Sequence, residues 1–348
     1  MSEFPIKGIH HVEFNVADAW AITNQFRKRF GFQLIAQSIG EENSFVLRQG
    51  GITYVVKDSR KANSQIRRFV ELHGDGVKDI AFSVEDAPAA FREALERGAQ
   101  QSPSGIFAIK TYGSVRHSFV DEKVVRPWEK YERVRCNTRP VGLFAIDHFV
   151  GNVPKGHMNP SIDLYRRLGF NEIDHFAENI NVGKSAFMSK VSQNGRVISN
   201  VNEPDGDQPT HIDDFLAPRN NNGPGVQHKA LATRDIVSTV RKMRSRGQKF
   251  LPIPDEYYEM LPERFPKIAR EEIVELQELG ILLDVDKKGK KLKQIFTEHL
   301  FVLDSLFDEV IEREDWGLPS EAEGFGRANV AALFAAKERA SKRLQVHS

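Results

Sequence analysis

The chain is written twice, and that duplication limits its possible folds more than any single motif does. "GIHHVEFNVADAWAITNQFRKRFGFQLIA" (8–36) resembles "AIDHFVGNVPKGHMNPSIDLYRRLGFNEID" (145–174). Each reads as a short alternating strand, a turn, an amphipathic helix with an Arg-rich end, and then Gly-Phe leading into another strand. Gly31 and Gly169 stand where such a helix ends in a left-handed cap. A second pair, "HGDGVKDIAFSVEDAPAAFREALERGAQ" (73–100) and "NGPGVQHKALATRDIVSTVRKMRSRGQKF" (222–250), gives a glycine turn, an alternating strand and a helix. Asp86 and Asp235 suit the N-caps of those helices. "SFVLRQGGITYVVKD" and "FAIKTYGSVRHSFVDE" add strands after the first two units. The expected fold is therefore α+β: tandem βαβββ units forming two curved-sheet half-barrels with helices outside. Each cup would enclose a cavity suited to a small molecule. The expected boundaries are 1–122 for the first half, a charged linker at 123–142, and 143–348 for the second half.

Composition narrows the setting. The chain has 348 residues with 49 Lys+Arg against 48 Asp+Glu, so no excess charge points to nucleic acid or an anionic membrane. No window holds 18 apolar residues, and the N-terminus lacks the apolar run of a signal peptide. The single cysteine, Cys136, rules out an intrachain disulfide and fits a reducing compartment, so a cytoplasmic protein is expected. The aromatics are skewed, 24 Phe against 6 Tyr and 3 Trp, which a Phe-rich core or an aromatic-lined pocket would explain.

The two halves differ in chemistry. His148 lies on the first strand of the second half and His228 on the strand opening its second unit, 80 residues later (228 − 148). A third strand, "SLFDEVIER" (305–313), carries Glu309, and alternation places Phe307, Glu309 and Ile311 on one face. Two imidazoles and one carboxylate are what a facial non-haem iron site requires, with the opposite positions left open. Asp308 competes with Glu309, because Leu306 and Val310 make its own face equally apolar. Each histidine alone would read as an ordinary buried one. In the first half His11 matches His148, Asp79 matches His228, and Ser118 falls near the place of Glu309. That half reads as a structural twin without the ligand set.

At these residues the chain resembles the 4-hydroxyphenylpyruvate dioxygenase family of the vicinal-oxygen-chelate (glyoxalase-like) superfamily. The resemblance is carried by "IDHFVGN" (146–152), "VNEP" (201–204), "GPGVQHKALATRDIV" (223–237), "FLPIPDEYYEML" (250–261), "LGILLDVDKKG" (279–289), "QIFT" (294–297), "LFDEVIER" (306–313) and "GFGRANVAALF" (324–334). "HGDGVKDIAFSVED" (73–86) extends it to the first half. It implies an Fe(II) held by His148, His228 and Glu309, with dioxygen as cosubstrate and no separate 2-oxoglutarate, because the aryl 2-oxo acid substrate brings its own oxo acid. It assigns catalytic roles to Gln294, Gln227 and Asn202. Phe296, Phe325, Phe307, Asn329, Val330, His211 and Ser185 are placed around the substrate. The implied reaction turns 4-hydroxyphenylpyruvate and O2 into homogentisate and CO2, in tyrosine catabolism. The last helix, "NVAALFAAKERASKRL", resembles the family's covering helix, and family members are commonly homodimers or homotetramers.

Four positions depart from the homogentisate-forming pattern. Val330 follows Asn329 where a phenylalanine is usual, Asn200 replaces a proline, His211 takes the place of a glutamine, and Asp308 replaces an apolar residue. A small residue at 330 resembles the hydroxymandelate synthases, which oxidise the benzylic carbon of the same substrate. Asn202, which those enzymes usually lose, is kept. Hydroxymandelate formation is thus the alternative, followed by another aryl or branched 2-oxo acid. A metal-free binding protein would show a broken triad in both halves, and only the first half does.

Overall fold

The structure is a computed structural model that describes residues 4, 6–121, 123, 128–136, 138–173, 178–182, 185–301, 305–326 and 329. Strand β1 (Ile6–Asn15) is followed by the helix Ala19–Gln25, which widens into a π-turn over Phe26–Phe30. Strands β2 (Gln33–Ser38), β3 (Glu42–Gln49) and β4 (Ile52–Ser59) complete the first unit. The helix Gln65–His73 leads to β5 (Gly76–Val84), the helix Ala87–Glu96, and β6 (Ala108–Lys110) with β7 (Arg116–Val120). A two-residue strand, β8 (Glu132–Arg133), lies within the expected linker and pairs with Ala36 and Gln37 of β2. The sheet order is β6-β7-β5-β1-β4-β3-β2-β8.

The second half repeats the plan with β9 (Leu143–Asn152), β10 (Asn171–Glu172), β11 (Glu178–Val182), β12 (Ser185–Asn194) and β13 (Val197–Pro204). Its second unit holds β14 (Gly225–Thr233), β15 (Leu282–Val285), β16 (Lys291–Phe296) and β17 (Phe307–Arg313). The order is β10-β12-β13-β9-β14-β17-β16-β15, with β11 beside β12. In both halves the first strand runs parallel to one neighbour (β4 or β13) and antiparallel to the other (β5 or β14). The duplication in sequence is therefore a duplication of topology. The second half adds three helices, Asp255–Glu259, Leu261–Arg264 and Arg270–Leu279, before β15.

The expected caps are present. Asp86 accepts from the Ala89 N–H and Asp235 from the Ser238 N–H, each 2.8–2.9 Å, and Gly31 turns left-handed at φ 78°. One continuous apolar cluster includes Phe14, Phe26 and Tyr54 from the first half with Phe149, Val226 and Leu231 from the second. Backbone bonds also join the halves: the Gly51 N–H donates to the Phe144 carbonyl at 2.7 Å. At Gly50 (φ 56°) a Cβ would stand 2.6 Å from the Phe144 Cα, so this close approach requires glycine. Both readings of the Phe excess hold, because Phe14, Phe26, Phe82 and Phe149 are fully buried while Phe296, Phe307 and Phe325 surround the site below. Among the described residues no helix is long and apolar enough to cross a membrane.

Candidate active site

Strands β9, β14 and β17 are neighbours, and their register builds the site. Ala230 of β14 faces His148 on one side and Glu309 on the other, so those two side chains share a row across the sheet. His228 lies two residues before Ala230, on the same face. The ligand atoms of His148, His228 and Glu309 all lie within 4.8 Å of one another, and among the described residues no other group of His, Cys, Asp or Glu does this. His148 Nε2 is 3.4 Å and His228 Nε2 3.9 Å from the same Glu309 oxygen, Oε2. His148 and Glu309 are buried, and the His228 side chain is 14% exposed, so the cluster opens on the His228 side. Asp308 points to the other face and pairs with Lys229, which separates it from the cluster.

A second ring of groups fixes these three. Asp147 accepts from His148 Nδ1 at 2.7 Å and takes two bonds from Arg313, at 2.6 and 2.8 Å. This network places the His148 proton on Nδ1 and turns the Nε2 lone pair into the cup. Burial would raise the Asp147 carboxyl, but the Arg313 guanidinium and His148 hold it well below the usual carboxylate range. Burial would likewise lower His148, yet Glu309 and Asp147 raise it to about 9. Burial, assisted by His148, His211 and Lys229, pushes His228 well below 6.5. One buried carboxylate thus draws a positive charge onto a set whose second imidazole stays neutral. The two Nε2 atoms and a carboxylate oxygen fit a divalent metal, which answers the same demand.

Gln294 stands beside the carboxylate, donating from Nε2 to Glu309 Oε1 at 2.8 Å. Its Oε1 accepts from Asn329 Nδ2 at 3.0 Å, and Asn329 Oδ1 accepts from the Tyr257 hydroxyl at 2.7 Å. Asn329, 1% exposed, therefore has both polar ends engaged and supports Gln294. Phe307 stacks on His228 (4.7 Å between centroids, 16° between planes), and Phe296 meets that imidazole edge-on at 6.4 Å. Phe325 meets His148 edge-on at 5.1 Å. Gln227 occupies a register shift between Val226 and His228, and this bulge brings its Oε1 within 3.2 Å of His228 Nδ1. Asn202 pairs across the sheet with Asn152 and donates to its Oδ1 at 3.4 Å. The buried Asn152 Nδ2 and Asn200 Oδ1, on the same sheet face as His148, have no hydrogen-bond partner. His211 opens the short helix His211–Leu216 with its ring edge-on to Phe187, close enough to act on His228. Ser185 begins β12, but its side chain lies outside the described residues, as do Val330 and the expected covering helix apart from Asn329.

The sequence reading missed Asp147, Arg313, Tyr257 and Asn152. Asp147 carried a signal, a carboxylate between Ile146 and His148 in an otherwise apolar strand, whereas Arg313, flanked by Glu312 and Glu314, reads as an ordinary charged strand end. Tyr257 carried none, because its role depends on an inserted helix returning to the sheet.

Two tandem open sheets, one with a His–His–Glu cluster on its inner face, define an enzyme of the vicinal-oxygen-chelate fold. Residues 3–112 match the family model "Hydroxyphenylpyruvate dioxygenase, HPPD, N-terminal". Residues 145–261 match that of the glyoxalase/bleomycin resistance protein/dioxygenase superfamily. The chain is 34% identical to the 4-hydroxyphenylpyruvate dioxygenase of Danio rerio, over 95% of this chain and 89% of that one. It is 32% identical to the enzyme of the same name from Dictyostelium discoideum, over 96% and 98%. A solved mutant of 4-hydroxymandelate synthase from Streptomyces coelicolor superposes with a TM-score of 0.79 at 30% identity, covering 97% of this chain and all of that one. The chain belongs to the 4-hydroxyphenylpyruvate dioxygenase family, and it is a dioxygenase.

Proposed function

We propose that this protein converts 4-hydroxyphenylpyruvate and O2 to homogentisate and CO2, at an iron held by His148, His228 and Glu309. The observation that carries the reading is the convergence of those three ligand atoms within 4.8 Å, on one face of three adjacent strands. Fe(II) bound there would activate dioxygen and chelate the 2-oxo acid of the substrate, so no separate 2-oxoglutarate is needed. Of the two oxygen atoms consumed, one ends in the new carboxyl group and the other on the ring.

The chain's own residues prepare that chemistry. Asp147, braced by Arg313, keeps the His148 proton on Nδ1 and Nε2 free to bind. Gln294 holds one carboxylate oxygen of Glu309, which leaves the other for the metal. Phe307, stacked on His228, prevents that ring from turning. Phe296 and Phe325 supply the aromatic walls on either side of the cluster, where an aryl group would be held at small entropic cost. The unpartnered Asn152 Nδ2 and Asn200 Oδ1, with Asn202, provide polar anchoring for a hydroxylated ring. Arg313 also donates to the carbonyls of Ala322 and Gly324, tying the segment that carries Phe325 to the support of His148.

A second reading, 4-hydroxymandelate formation, is favoured by Val330 and by the likeness to the synthase structure. Incubating iron-loaded protein with 4-hydroxyphenylpyruvate under air, and identifying the aromatic product by mass spectrometry, separates the two. Homogentisate is expected. Hydroxymandelate would replace the first reading by the second, and an unconsumed substrate would reject both. His228→Ala should abolish turnover in either case.

A further inference from the structure

The first half lacks the ligand set but keeps a cup of about 510 Å³, of the size of small-molecule sites. Register gives the charged residues of this cup counterparts in the active one. Glu13 faces Asp79 across β1 and β5 as Val150 faces His228 across β9 and β14. Asp79 faces Arg116 as His228 faces Phe307, and Asn15 faces Lys57 as Asn152 faces Asn202. Even the bulge recurs: a register shift between Val77 and Asp79 leaves Lys78 in the place of Gln227. Lys57, Lys78 and Arg116 thus stand where the active half has Asn202, Gln227 and Phe307.

The first cup is rebuilt rather than filled. Arg116 Nε donates to Asp79 at 2.6 Å, its Nη2 reaches Glu13 at 3.1 Å, and its Nη1 bonds Ser104 at 2.8 Å. Asp79 also accepts from the Ser118 N–H at 3.0 Å. A guanidinium therefore takes the role that a metal cation has in the other half, and Asp79 is not free to ligate one. Lys57 pairs with Glu13 at 2.6 Å. Lys78 has no carboxylate partner among the described residues, and its Nζ donates to the Ser114 carbonyl at 2.5 Å. Lys57 and Arg116 are paired with the buried carboxylates of Glu13 and Asp79, and Glu42 is exposed at the rim, so Lys78 is the cation of the cup without a carboxylate partner among the described residues. Two further lining groups, Asn15 Oδ1 and Ser44 Oγ, are buried without a hydrogen-bond partner, although the residues are only 2% and 4% exposed. Buried polar atoms of this kind call for a polar occupant.

We propose that the first half is a second ligand site, which takes a small hydrophilic organic monoanion. Its carboxylate pairs with Lys78 and its hydroxyl groups face Asn15 and Ser44. The aryl 2-oxo acid of the active cup is a poor match here, because Phe307 is replaced by Arg116 and the floor is charged. The site is independent of the metal cluster, so its test needs no turnover.

Titration calorimetry of the iron-loaded protein with D-gluconate, a polyhydroxylated monocarboxylate, tests the proposal. Sorbitol serves as its uncharged counterpart. Gluconate is expected to bind with a Kd on the order of 1 mM or tighter, and equally in His228→Ala. Lys78→Met should weaken it at least tenfold, and Ser38→Trp, which fills the mouth from a half-exposed position on β2, should do the same. Sorbitol should bind at least tenfold more weakly than gluconate. Thermal melts establish that each variant is folded. Absence of gluconate binding to the wild-type chain overturns the proposal. So does binding that is lost in His228→Ala but kept in folded Lys78→Met and Ser38→Trp, or equal binding of sorbitol.

Discussion

Lys229 and Asp308 are buried together, 1% and 0% exposed, and each adjoins a member of the His–His–Glu cluster in sequence. The Lys229 ammonium also lies over the rings of Phe14, Tyr54 and Phe26 from the first half, 4.9, 5.1 and 5.8 Å from their centroids. The pair explains a residue that sequence alone left anomalous. Asp308 departs from the apolar pattern because a lysine from the neighbouring strand neutralises it, facing away from the His–His–Glu cluster. Its Oδ2 has no partner, so the pair is only partly satisfied. Removing one member should be far worse than removing both, since a lone buried charge is left behind. Lys229→Met is expected to destabilise the protein by about 3–5 kcal/mol, whereas Lys229→Met with Asp308→Leu should recover most of that loss. A double-mutant cycle on urea unfolding midpoints checks this, and additive losses would contradict it.

Among the elements, the inserted helix Asp255–Glu259 shows how a segment distant from the sheet reaches the site. Its Tyr257 hydroxyl accepts from the Leu283 N–H of β15 at 2.9 Å and donates to Asn329. Asn329 then holds Gln294 on β16, and Gln294 holds Glu309 on β17. The chain crosses four segments and ends on the carboxylate. Tyr257→Phe removes the bonds to both Asn329 and Leu283 while leaving Gln294 on Glu309, yet should lower iron affinity or kcat on the order of tenfold, as loss of an outer support for a metal ligand commonly does. Gln294→Leu should cost more, because Glu309 then loses a direct partner. Metal content after dialysis, with kcat and KM, measures both. Unchanged metal retention and unchanged kcat in Tyr257→Phe would show that the relay is packing alone. The repeat, the strands and the helix caps were legible in the sequence, because alternation, glycine turns and Asp caps are local signals. Alternation put His148, His228 and Glu309 on strands for the same reason, but it left Asp308 competing with Glu309, and the family resemblance chose between them. The relay was not legible, since Tyr257 and Glu309 are brought together only by how the insertion packs. Nor was Gln227's approach to His228, which depends on a bulge that alternation conceals.

For the molecule as a whole, each half sends a polar side chain from the outer face of its sheet into the other. Asp308 and Lys229 do so from the second half, and His117, in register with Asp308's place, does so from the first. His117 Nδ1 bonds the Ile80 carbonyl at 2.8 Å, Nε2 meets the Tyr165 hydroxyl at 3.0 Å, and its ring packs on Phe82 and Phe149. Burial lowers its pKa to about 4, with the Ile80 carbonyl and Asp79 opposing. Burial also lowers His11 to about 4, against Asp79 and Glu13 and with help from His10 and Lys57. The unfolded chain binds these protons near pH 6.5, whereas the native chain binds them only near pH 4. The unfolded state therefore holds more protons between those values, and stability falls as the pH drops through that window. Each histidine contributes a loss on the order of 3 kcal/mol by pH 4. Because His117 joins the halves, protonating it loosens their contact as well as the sheet. His117→Asn keeps hydrogen-bonding capacity without a titrating ring, so the pH dependence of unfolding should become shallower between 6.5 and 4, while the slope due to His11 remains. Urea midpoints of the iron-loaded protein across that range read the slope directly, independent of any constant loss from the smaller side chain. A slope equal to that of the wild type would remove His117 from the acid response and leave the interface without a titrating contact there.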